Sequence, residues 1–216
     1  MIRLVLSVWL LVAAPARAQL EPFAGELQTI QQAIAEADGL GGYYDREYRS
    51  VESMWWQHIP AWMRADARER KVARILDVGC GYGTLLSLAT RIYSRAQGVC
   101  WDKTDYLKPA VAARSGLAFR RGNAELDPIP EPPYDLIILT EVIEHFNFHP
   151  VPTLRKLYDA LIPGGKLVLS TPDAAQWGRL YDFYRRLADI PPPHAGAQTR
   201  DRHIWMYNKE DRKSVV

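Results

Sequence analysis

The sequence predicts an α/β fold: a doubly wound, mainly parallel sheet with helices on both faces. Three observations predict it. A short apolar run that ends in an acid is followed by closely spaced glycines and then by a helix-favouring run. Four further strand-like runs follow, separated by helical stretches, and this alternation indicates a parallel sheet. One of them is continuously apolar, as expected for a central strand that is buried on both faces.

The first strand, turn and helix lie at residues 74–89, where R-I-L-D-V-G-C-G-Y-G-T precedes L-L-S-L-A. Gly79, Gly81 and Gly83 stand at alternate positions after Asp77. Such a turn needs backbone angles that are forbidden to residues with a Cβ, and a ligand can then lie directly against the main chain. A bare G-x-G-x-G also serves NAD, FAD or no ligand, so its context must decide between these functions.

The later strands supply that context. The second run, at residues 97–99, is closed by Cys100-Trp101-Asp102, which places Asp102 where the ribose hydroxyls of a nucleoside would lie. The third run is at 117–119, and Gly122-Asn123-Ala124-Glu125 follows it. The fourth and fifth runs are expected at 134–140 and 166–171, the last of them after the turn Pro163-Gly164-Gly165.

Together these motifs resemble the class I S-adenosylmethionine (SAM) methyltransferases, whose sheet is Rossmann-like. The matching segments are L-D-V-G-C-G-Y-G at 76–83, Asp102, G-N-A-E at 122–125, Y-D-L-I-I-L-T-E-V-I-E-H at 134–145, and L-I-P-G-G-K-L-V-L-S-T-P at 161–172. They cover residues 70–175. The NAD-binding turn has a later third glycine, G-x-G-x-x-G, whereas the residue three after Gly81 here is Thr84.

The resemblance implies that SAM is the cofactor, and it assigns SAM binding to residues in four segments: Asp77, Gly79, Cys80, Gly81, Gly83, Asp102, Asn123, Ala124 and Thr140. Asp77 would hold the turn and face the amino group of the ligand. Asp102 would accept both ribose hydroxyl protons. Asn123 could accept a hydrogen bond from the adenine amino group, but it could equally be a turn residue after Gly122.

A second group of polar residues, Glu141, Glu144 and His145, follows the fourth strand, where open α/β sheets bind ligands. On a helical turn the three side chains could converge and bind a divalent metal such as Mg²⁺, Mn²⁺ or Zn²⁺. The E-x-x-E-H pattern is shared by ubiquinone-biosynthesis O-methyltransferases and small-RNA terminal 2′-O-methyltransferases, in which the resemblance implies that a metal can orient the acceptor hydroxyl. The RNA enzymes add a later histidine, here His203. The alternative is a helix acid beside a locally hydrogen-bonded histidine.

Methyl transfer to a hydroxyl also needs a base or a Lewis acid, because an unionised alcohol is a poor nucleophile. We expect His145 to be this base, with Glu144 as its orienting partner. The segment 174–202 carries aromatic residues that are expected on a helix, and it would form an apolar wall of the acceptor pocket: Trp177, Tyr181, Phe183 and Tyr184. Such a wall suits a small-molecule or lipid-like acceptor, although core packing explains these residues as well.

Composition limits the remaining functions. The 216 residues are 48% hydrophobic, enough for one sizeable core. The net charge is +2 and no basic run is present, so nucleic-acid binding is not favoured. Small-RNA 2′-O-methylation and a non-catalytic, exported SAM-fold binding module stay open as alternatives. Cys80 and Cys100 are expected to be small packing residues rather than a disulfide.

The N-terminal part of the chain divides into two segments. Residues 1–18 have the charged start, apolar stretch and A-x-A site of a secretory signal, and the stretch is short for a membrane-spanning helix. SAM is made and used in the cytosol, so we expect a cytoplasmic protein, with export or membrane anchoring as the alternative. Residues 19–70 predict a helical, aromatic-rich extension or lid, in which Tyr43, Tyr44 and Arg46 either close over the ligand or pack in the core.

Residues 71–210 form the predicted SAM-binding domain. In the family this domain normally ends with two further strands, which are not recognisable here. The last six residues, D-R-K-S-V-V at 211–216, match the translation of a common sequencing adapter. We therefore expect an artefactual tail and a chain that is a fragment lacking the terminal strands.

Overall fold

A computed structural model describes residues 21–94, 96–177, 183–194, 196–208 and 211. Its centre is a five-stranded sheet in which all neighbouring strands are parallel, in the order β3-β2-β1-β4-β5. The strands are β1 Arg74–Val78, β2 Gln97–Asp102, β3 Leu117–Arg121, β4 Tyr134–Thr140 and β5 Leu161–Ser170. The predicted α/β fold and parallel sheet are thereby confirmed.

Helices connect the strands and precede the first one. They are α1 Ala24–Asp38, α2 Glu52–Trp56, α3 Ile59–Glu69, α4 Thr84–Ile92, α5 Pro109–Ser115, α6 Pro150–Asp159 and α7 Ala174–Trp177. Short 3-10 turns lie at Glu21–Phe23, Ile143–His145 and Leu187–Asp189, and a π-helical turn lies at Tyr44–Tyr48. The longest helix of the N-terminal extension is α1, which ends at Asp38 with Gly39 as its C-cap.

Both faces of the sheet are buried. Along β4, Leu136 and Ile138 point to one face, and Ile137 and Leu139 point to the other, as the period of two in a strand requires. The first face packs against α1, α3 and α4, and the second packs against α6 and the segment around Trp205. This arrangement explains why the β4 sequence is continuously apolar.

The N-terminal extension shares the core of the sheet. Ile34 and Tyr44 are fully buried, and they belong to the same apolar cluster as Ile75 of β1. The Tyr44 hydroxyl donates a 2.5 Å hydrogen bond to the Glu52 carboxylate. Of the two interpretations of the aromatic residues, core packing therefore describes Tyr44, whereas Tyr43 is 57% exposed and lies at the rim of a cavity.

Strand β5 begins earlier than predicted. Tyr134 pairs with Leu161, but the next pair is Leu136 with Lys166, so the Pro163-Gly164-Gly165 turn loops out of the strand. Gly164 has a φ of 79°, which residues with a Cβ rarely adopt. The turn that was expected to precede the strand is thus a bulge inside it.

The predicted aromatic helix after β5 is only partly formed. Helix α7 ends at Trp177, Tyr181 lies outside the described residues, and Phe183 lies in a bend, as does Tyr184. Phe183 is 46% exposed, and the guanidinium of Arg202 stacks 3.9 Å from its ring centroid. The prediction of one helix carrying all four aromatic residues is wrong for Phe183 and Tyr184, because local aromatic spacing does not reveal where a helix stops.

The expectation that Cys80 and Cys100 are unbonded packing residues is also wrong, because they form a disulfide. The turn after β1 folds back onto the end of β2, where the Gly79 N–H donates to the Trp101 carbonyl at 2.8 Å. That return brings the two cysteine Cα atoms to 5.4 Å, within the range that a disulfide spans. Twenty residues separate the cysteines in the sequence, so the cysteine count alone could not reveal the pairing.

Within the described part of the chain, no helix combines the length and the apolar character needed to cross a membrane. The signal-like segment at residues 1–18 lies outside the described residues, as do residues 212–216 of the predicted tail.

Candidate active site

A cavity of about 230 Å³ opens at the carboxyl ends of β1, β2 and β4. Its place is the point where the strand order reverses between β1 and β4, at which open parallel sheets bind ligands. Residues predicted to bind the cofactor line it, namely Gly79, Gly81, Asp102, Asn123 and Ala124, and so do Glu141 and His145. These residues of separate sequence segments therefore lie together at one cavity.

The glycine turn presents its backbone to this cavity. Gly79, Gly81 and Gly83 have φ values of 70°, 52° and 78°, so each occupies the left-handed region. A Cβ on Gly81 would meet only the Tyr48 hydroxyl, at 3.5 Å. Gly83 is different, because it precedes α4 and a Cβ there would press against Leu107 at 2.9 Å. Gly81 thus leaves space for a ligand, whereas Gly83 allows close packing.

Asp102 holds the turn from the neighbouring strand. One carboxylate oxygen accepts the Gly81 N–H at 3.0 Å, and the other accepts the Thr104 N–H at 2.8 Å. Each oxygen has a further lone pair, so the side chain can still accept two hydroxyl protons. Burial raises the pKa of Asp102. The geometry fits the expected contact with the ribose and adds a contact with the turn.

Asn123 lies at the end of β3 and makes local hydrogen bonds. Its side-chain oxygen accepts the Glu125 N–H at 2.9 Å, and its amide nitrogen donates to the Thr199 hydroxyl at 3.0 Å. These bonds agree with the turn interpretation. Asn123 also lines the cavity, and its oxygen keeps a second lone pair, so contact with an adenine amino group is compatible with the geometry.

A second, smaller cavity of about 60 Å³ lies beside the glycine turn and contains Asp77, Cys80 and Thr140 in its lining. Tyr48, Gly79, Tyr82 and Glu141 line both cavities, so the two adjoin. Asp77 is 2% exposed, and its Oδ1 has no hydrogen-bond partner among the described residues. Burial, followed by the charge of Asp102, raises the pKa of Asp77 well above its usual range. A ligand group that donates to Asp77 would satisfy this oxygen, which agrees with the contact that the family resemblance implies.

The third feature is a cluster of Glu144, His145 and His203. Their potential ligand atoms all lie within 4.8 Å of one another, and the two imidazole centroids are 4.7 Å apart. The backbone brings His203 to this place, because the Ile204 N–H donates to the Glu144 carbonyl at 2.7 Å. The sequence predicted this group from two separate segments.

Glu141, the fourth predicted metal ligand, lies outside the cluster. The helical turn expected over 141–145 begins only at Ile143, and Glu141 before it has a φ of 55°. One of its carboxylate oxygens accepts a hydrogen bond from the Ser170 hydroxyl at 2.9 Å. Glu141 is therefore directed toward β5, and the cluster within the described residues has three members.

The comparison with protein families decides the identity of the chain. A family model described as a methyltransferase domain matches residues 46–215. The chain belongs to this family, the class I SAM-dependent methyltransferases. The parallel sheet and the glycine turn agree with this assignment.

Three curated relatives of this methyltransferase act on different acceptors, by their names. Demethylspheroidene O-methyltransferase from Rhodobacter capsulatus is 34% identical over 122 residues, which are 55% of this chain and 30% of the relative. Trans-aconitate 2-methyltransferase from Methylobacterium nodulans is 32% identical over 122 residues, 56% of this chain and 46% of the relative. Ubiquinone biosynthesis O-methyltransferase from Ruegeria pomeroyi is 33% identical over 103 residues, 45% of this chain and 40% of the relative. The matches cover less than half of each relative.

Among solved structures, the match with the SAM-dependent methyltransferase SibL in its apo form covers 89% of this chain and 68% of the SibL chain. The sequences are 18% identical and the TM-score is 0.47. The family match and the sheet topology, rather than this overlap, carry the assignment.

The methyltransferase surrounds His145 differently from the prediction. Glu144, expected to orient His145, instead accepts a hydrogen bond from the Thr171 hydroxyl at 2.9 Å. The carboxylate nearest to His145 is that of Asp201, 3.3 Å from Nδ1, although the contact lacks hydrogen-bond geometry. The sequence missed Asp201, because it belongs to no motif and reaches the site only through the path of the later chain.

Burial sets the protonation of these groups. It raises the pKa of Glu141 to about 7, and burial together with the charge of Glu141 raises the pKa of Glu144 to about 8. Burial, followed by the proximity of His203, lowers the pKa of His145 to about 4. His145 is consequently neutral at pH 7, the form that binds a metal or accepts a proton.

Aromatic side chains also line the cavity, and the sequence identified them only in part. The Tyr82 ring packs at a tilt against the rings of Tyr48 and Tyr106, with centroid distances of 5.3 Å in both pairs. Tyr48 belongs to the aromatic-rich extension noted in the sequence, whereas Tyr106 follows β2 in a segment without a recognisable pattern. The three rings form one wall of the cavity.

Proposed function

We propose that this methyltransferase transfers the methyl group of SAM to a hydroxyl group of a small-molecule or lipid-like acceptor. The supporting observation is the cluster of Glu144, His145 and His203 beside the cavity, of which His145 is a lining residue. Two relatives, from Rhodobacter capsulatus and Ruegeria pomeroyi, are named O-methyltransferases. The cytoplasm, where SAM is made, is the proposed location.

The chemistry of the cluster supports a hydroxyl acceptor. The SAM methyl group is already activated, so the protein mainly has to align the acceptor and to exclude water. A hydroxyl must also lose its proton. The low pKa of His145 makes the imidazole available at neutral pH but weak as a base on its own. A divalent cation would compensate for this weakness by lowering the pKa of the acceptor hydroxyl.

The donor set fits such a cation. Two imidazoles and a carboxylate are the mixed nitrogen and oxygen ligands that Mn²⁺ or Zn²⁺ accepts. Because its raised pKa keeps Glu144 largely protonated at pH 7, Glu144 would lose its proton on binding the cation, and its charge would then offset part of that of the cation. In this proposal the metal is held by Glu144, His145 and His203. The Glu141 carboxylate lies nearby and accepts a hydrogen bond from the Ser170 hydroxyl.

The presence of His203 in the cluster also favours the second candidate, a small-RNA terminal 2′-O-methyltransferase, since a later histidine is part of that pattern. The net charge of +2 and the lack of a basic run favour the small acceptor. A cavity with an intact glycine turn and Asp102 argues against the third candidate, a binding module without catalysis.

One substrate screen tests these candidates together. The chain would be incubated with methyl-labelled SAM and with three acceptor classes: hydroxylated aromatic or isoprenoid compounds, carboxylic acids, and short RNA with a free terminal 2′-hydroxyl. Label on a hydroxylated small molecule, confirmed by mass spectrometry, is the expected result. Label on a carboxylic acid alone, or on RNA alone, would contradict the proposed acceptor.

The metal is tested with the acceptor found in that screen. Exhaustive chelation should abolish turnover, and Mg²⁺, Mn²⁺ or Zn²⁺ should restore it. His203→Ala should have the same effect, whereas His58→Ala in the N-terminal extension, as a matched control, should retain activity. Turnover that survives both chelation and His203→Ala would show that the cluster is not a metal site.

A further inference from the structure

We propose that Glu52 of the N-terminal extension is a positioning residue for the α-ammonium group of SAM, in the smaller cavity where the resemblance already directs that group toward Asp77. This inference deepens the proposed function and rests on SAM being the donor. It gives the extension a direct role in cofactor binding, which the methyltransferase motifs at residues 76–172 do not include.

The first observation is the charge of the cavity lining. Three carboxylates line it, those of Glu52, Asp77 and Glu141, and the lining residues described for it include no lysine, arginine or histidine. Buried carboxyl groups without a counter-charge among the lining residues are driven toward their neutral form. A ligand with a positive group would stabilise the charged form, whereas a ligand with a carboxylate alone would disfavour it further.

The second observation is the orphaned oxygen of Asp77. The side chain lies at the end of β1, it is 2% exposed, and its Oδ1 has no partner among the described residues. Buried polar atoms are nearly always hydrogen-bonded, so an exception that faces a cavity indicates a ligand that donates to it. An ammonium group offers three donors and a positive charge.

The N-terminal extension contributes the Glu52 side chain to the lining of the smaller cavity. It begins α2, is 3% exposed, and accepts hydrogen bonds from the Tyr44 hydroxyl at 2.5 Å and from the Gln31 amide at 2.9 Å. Both donors are neutral, so they orient the carboxylate without supplying a counter-charge. Two other residues of the extension thus hold this one acidic group against the cavity. This arrangement has no evident purpose in packing alone, since an apolar side chain would fill the same space at lower cost.

The sizes of the two cavities agree with a division of SAM between them. The larger one, about 230 Å³, is lined by Asp102 and Asn123, which suit the ribose and the adenine. The smaller one, about 60 Å³, adjoins it across Gly79 and has room only for a small group. The methionyl end of SAM is the part that extends from the nucleoside past the glycine turn.

Calorimetric titration of the full chain tests the inference with four ligands. SAM, S-adenosylhomocysteine and decarboxylated SAM all carry the ammonium group, whereas 5′-methylthioadenosine lacks the methionyl end. Glu52→Gln keeps an oxygen for Tyr44 and Gln31 but removes the charge. We expect this substitution to lower the affinity for SAM, S-adenosylhomocysteine and decarboxylated SAM by about tenfold, the loss expected for one charged hydrogen bond. The affinity for 5′-methylthioadenosine should not change. Glu47→Gln, at an exposed site of the same extension, is the matched control.

The outcomes separate the inference from the proposed function. Unchanged binding of 5′-methylthioadenosine shows that the variant is folded. If Glu52→Gln does not fold, Asp77→Asn should give the same selective loss. Equal losses for all four ligands, or no loss for any of them, would overturn the role of Glu52 while leaving SAM as the donor. A loss confined to the two sulfonium ligands would overturn the assignment to the ammonium group. Failure of the unmodified chain to bind any of the four would overturn the proposed function as well.

Discussion

Asp77 and Asp102 lie on neighbouring strands, and burial raises the pKa of both, yet their surroundings differ. Asp102 accepts two backbone N–H groups, which fix its orientation toward the larger cavity. Asp77 has an oxygen without a partner and faces the smaller cavity. Two acids at the ends of neighbouring strands therefore take different parts of the site. Asp102 is held in place by the protein, whereas Asp77 still has an oxygen that a ligand could satisfy.

Substitution of Gly81 separates backbone strain from ligand contact. Gly81→Val should abolish SAM binding, because the side chain would enter the cavity where the turn meets the ligand. The positive φ also strains any branched residue by about 1–2 kcal/mol. Gly116→Val is the matched control, since Gly116 has a similar φ of 65° with nothing within 4 Å of the added Cβ. Both variants should melt earlier, but only Gly81→Val should fail to bind SAM in calorimetry. Similar SAM affinities in the two variants would place the ligand elsewhere.

Asp102→Asn tests the ribose contact. The amide keeps one acceptor oxygen, but its nitrogen would face one of the two backbone N–H donors, so both the turn and the ligand lose a partner. We expect the SAM dissociation constant to rise at least about tenfold, since a hydrogen bond to a charged group is worth about 1.5–3 kcal/mol. Asp105→Asn, at an exposed site three residues later, should bind as the unmodified chain does. A dissociation constant that Asp102→Asn leaves unchanged would refute the contact.

The sequence predicted local features of the site better than it predicted contacts between distant segments. The glycine turn, Asp102 and the neighbourhood of Glu144 and His145 follow from short motifs. Glu52 and Asp201 could not be found in this way, because each reaches the site through the packing of a segment without a motif. The disulfide between Cys80 and Cys100 was missed because it depends on how the turn after β1 folds onto β2, which neither local motif reveals. His203 was found only because the resemblance supplied a long-range pattern.

At the scale of elements, a buried charged group ties α3 to the sheet. Asp66 of α3 accepts hydrogen bonds from Lys166 of β5 at 2.5 Å, from Tyr93 after α4 at 2.8 Å and from Arg70 at 2.7 Å. Its side chain is 1% exposed. One residue thus connects three elements, at the edge of the sheet where the β5 bulge ends. Sequence periodicity predicted these elements, but it contains no information about the link between them.

Asp66→Ala should destabilise the fold, because the cations would lose their partner. We expect the free energy of unfolding, measured by chemical denaturation, to fall by about 1.5–3 kcal/mol. Glu69→Ala, on the exposed side of the same helix, should have little effect. Burial raises the pKa of Asp66, but the bonds from Lys166 and Tyr93 and the charge of Arg70 outweigh it, so the net pKa is lowered. A lowered pKa in the folded state means that the stabilisation is complete above the ordinary aspartate pKa. It is lost as the pH falls through the folded value.

The difference in stability between the unmodified chain and Asp66→Ala should therefore be constant near neutral pH and should shrink under acidic conditions. A difference that grows as the pH falls would contradict the assigned contacts. Asp66→Asn serves as a second variant of nearly equal size. It should lose most of the same stability, since the charge rather than the volume is removed.

For the whole molecule, the N-terminal extension is the part that the sequence described least well. The sheet order and the two buried faces follow from alternating strands and helices, whereas the extension could be interpreted as a lid or as part of the core. Ile34 and Met63 are fully buried in the same cluster as Ile75 and Ile138 of the sheet. An element that shares the core of the sheet cannot open as a separate body without exposing that core.

The extension and the sheet should consequently unfold together. Ile34→Ala in α1 should lower the free energy of unfolding by about 2–5 kcal/mol, the range for a buried isoleucine. The variant should melt in one transition at a lower temperature, without a second transition. Leu40→Ala, at a side chain that is 73% exposed, is the matched control.

Hydrogen exchange followed by mass spectrometry would compare α1 with β1 and β4 directly. SAM should raise the protection of all three in parallel, because a ligand that binds only the folded state stabilises the whole cooperative unit. If α1 exchanges much faster than the strands, and SAM protects it alone, the extension is a separate lid and Glu52 acts only when that lid is closed.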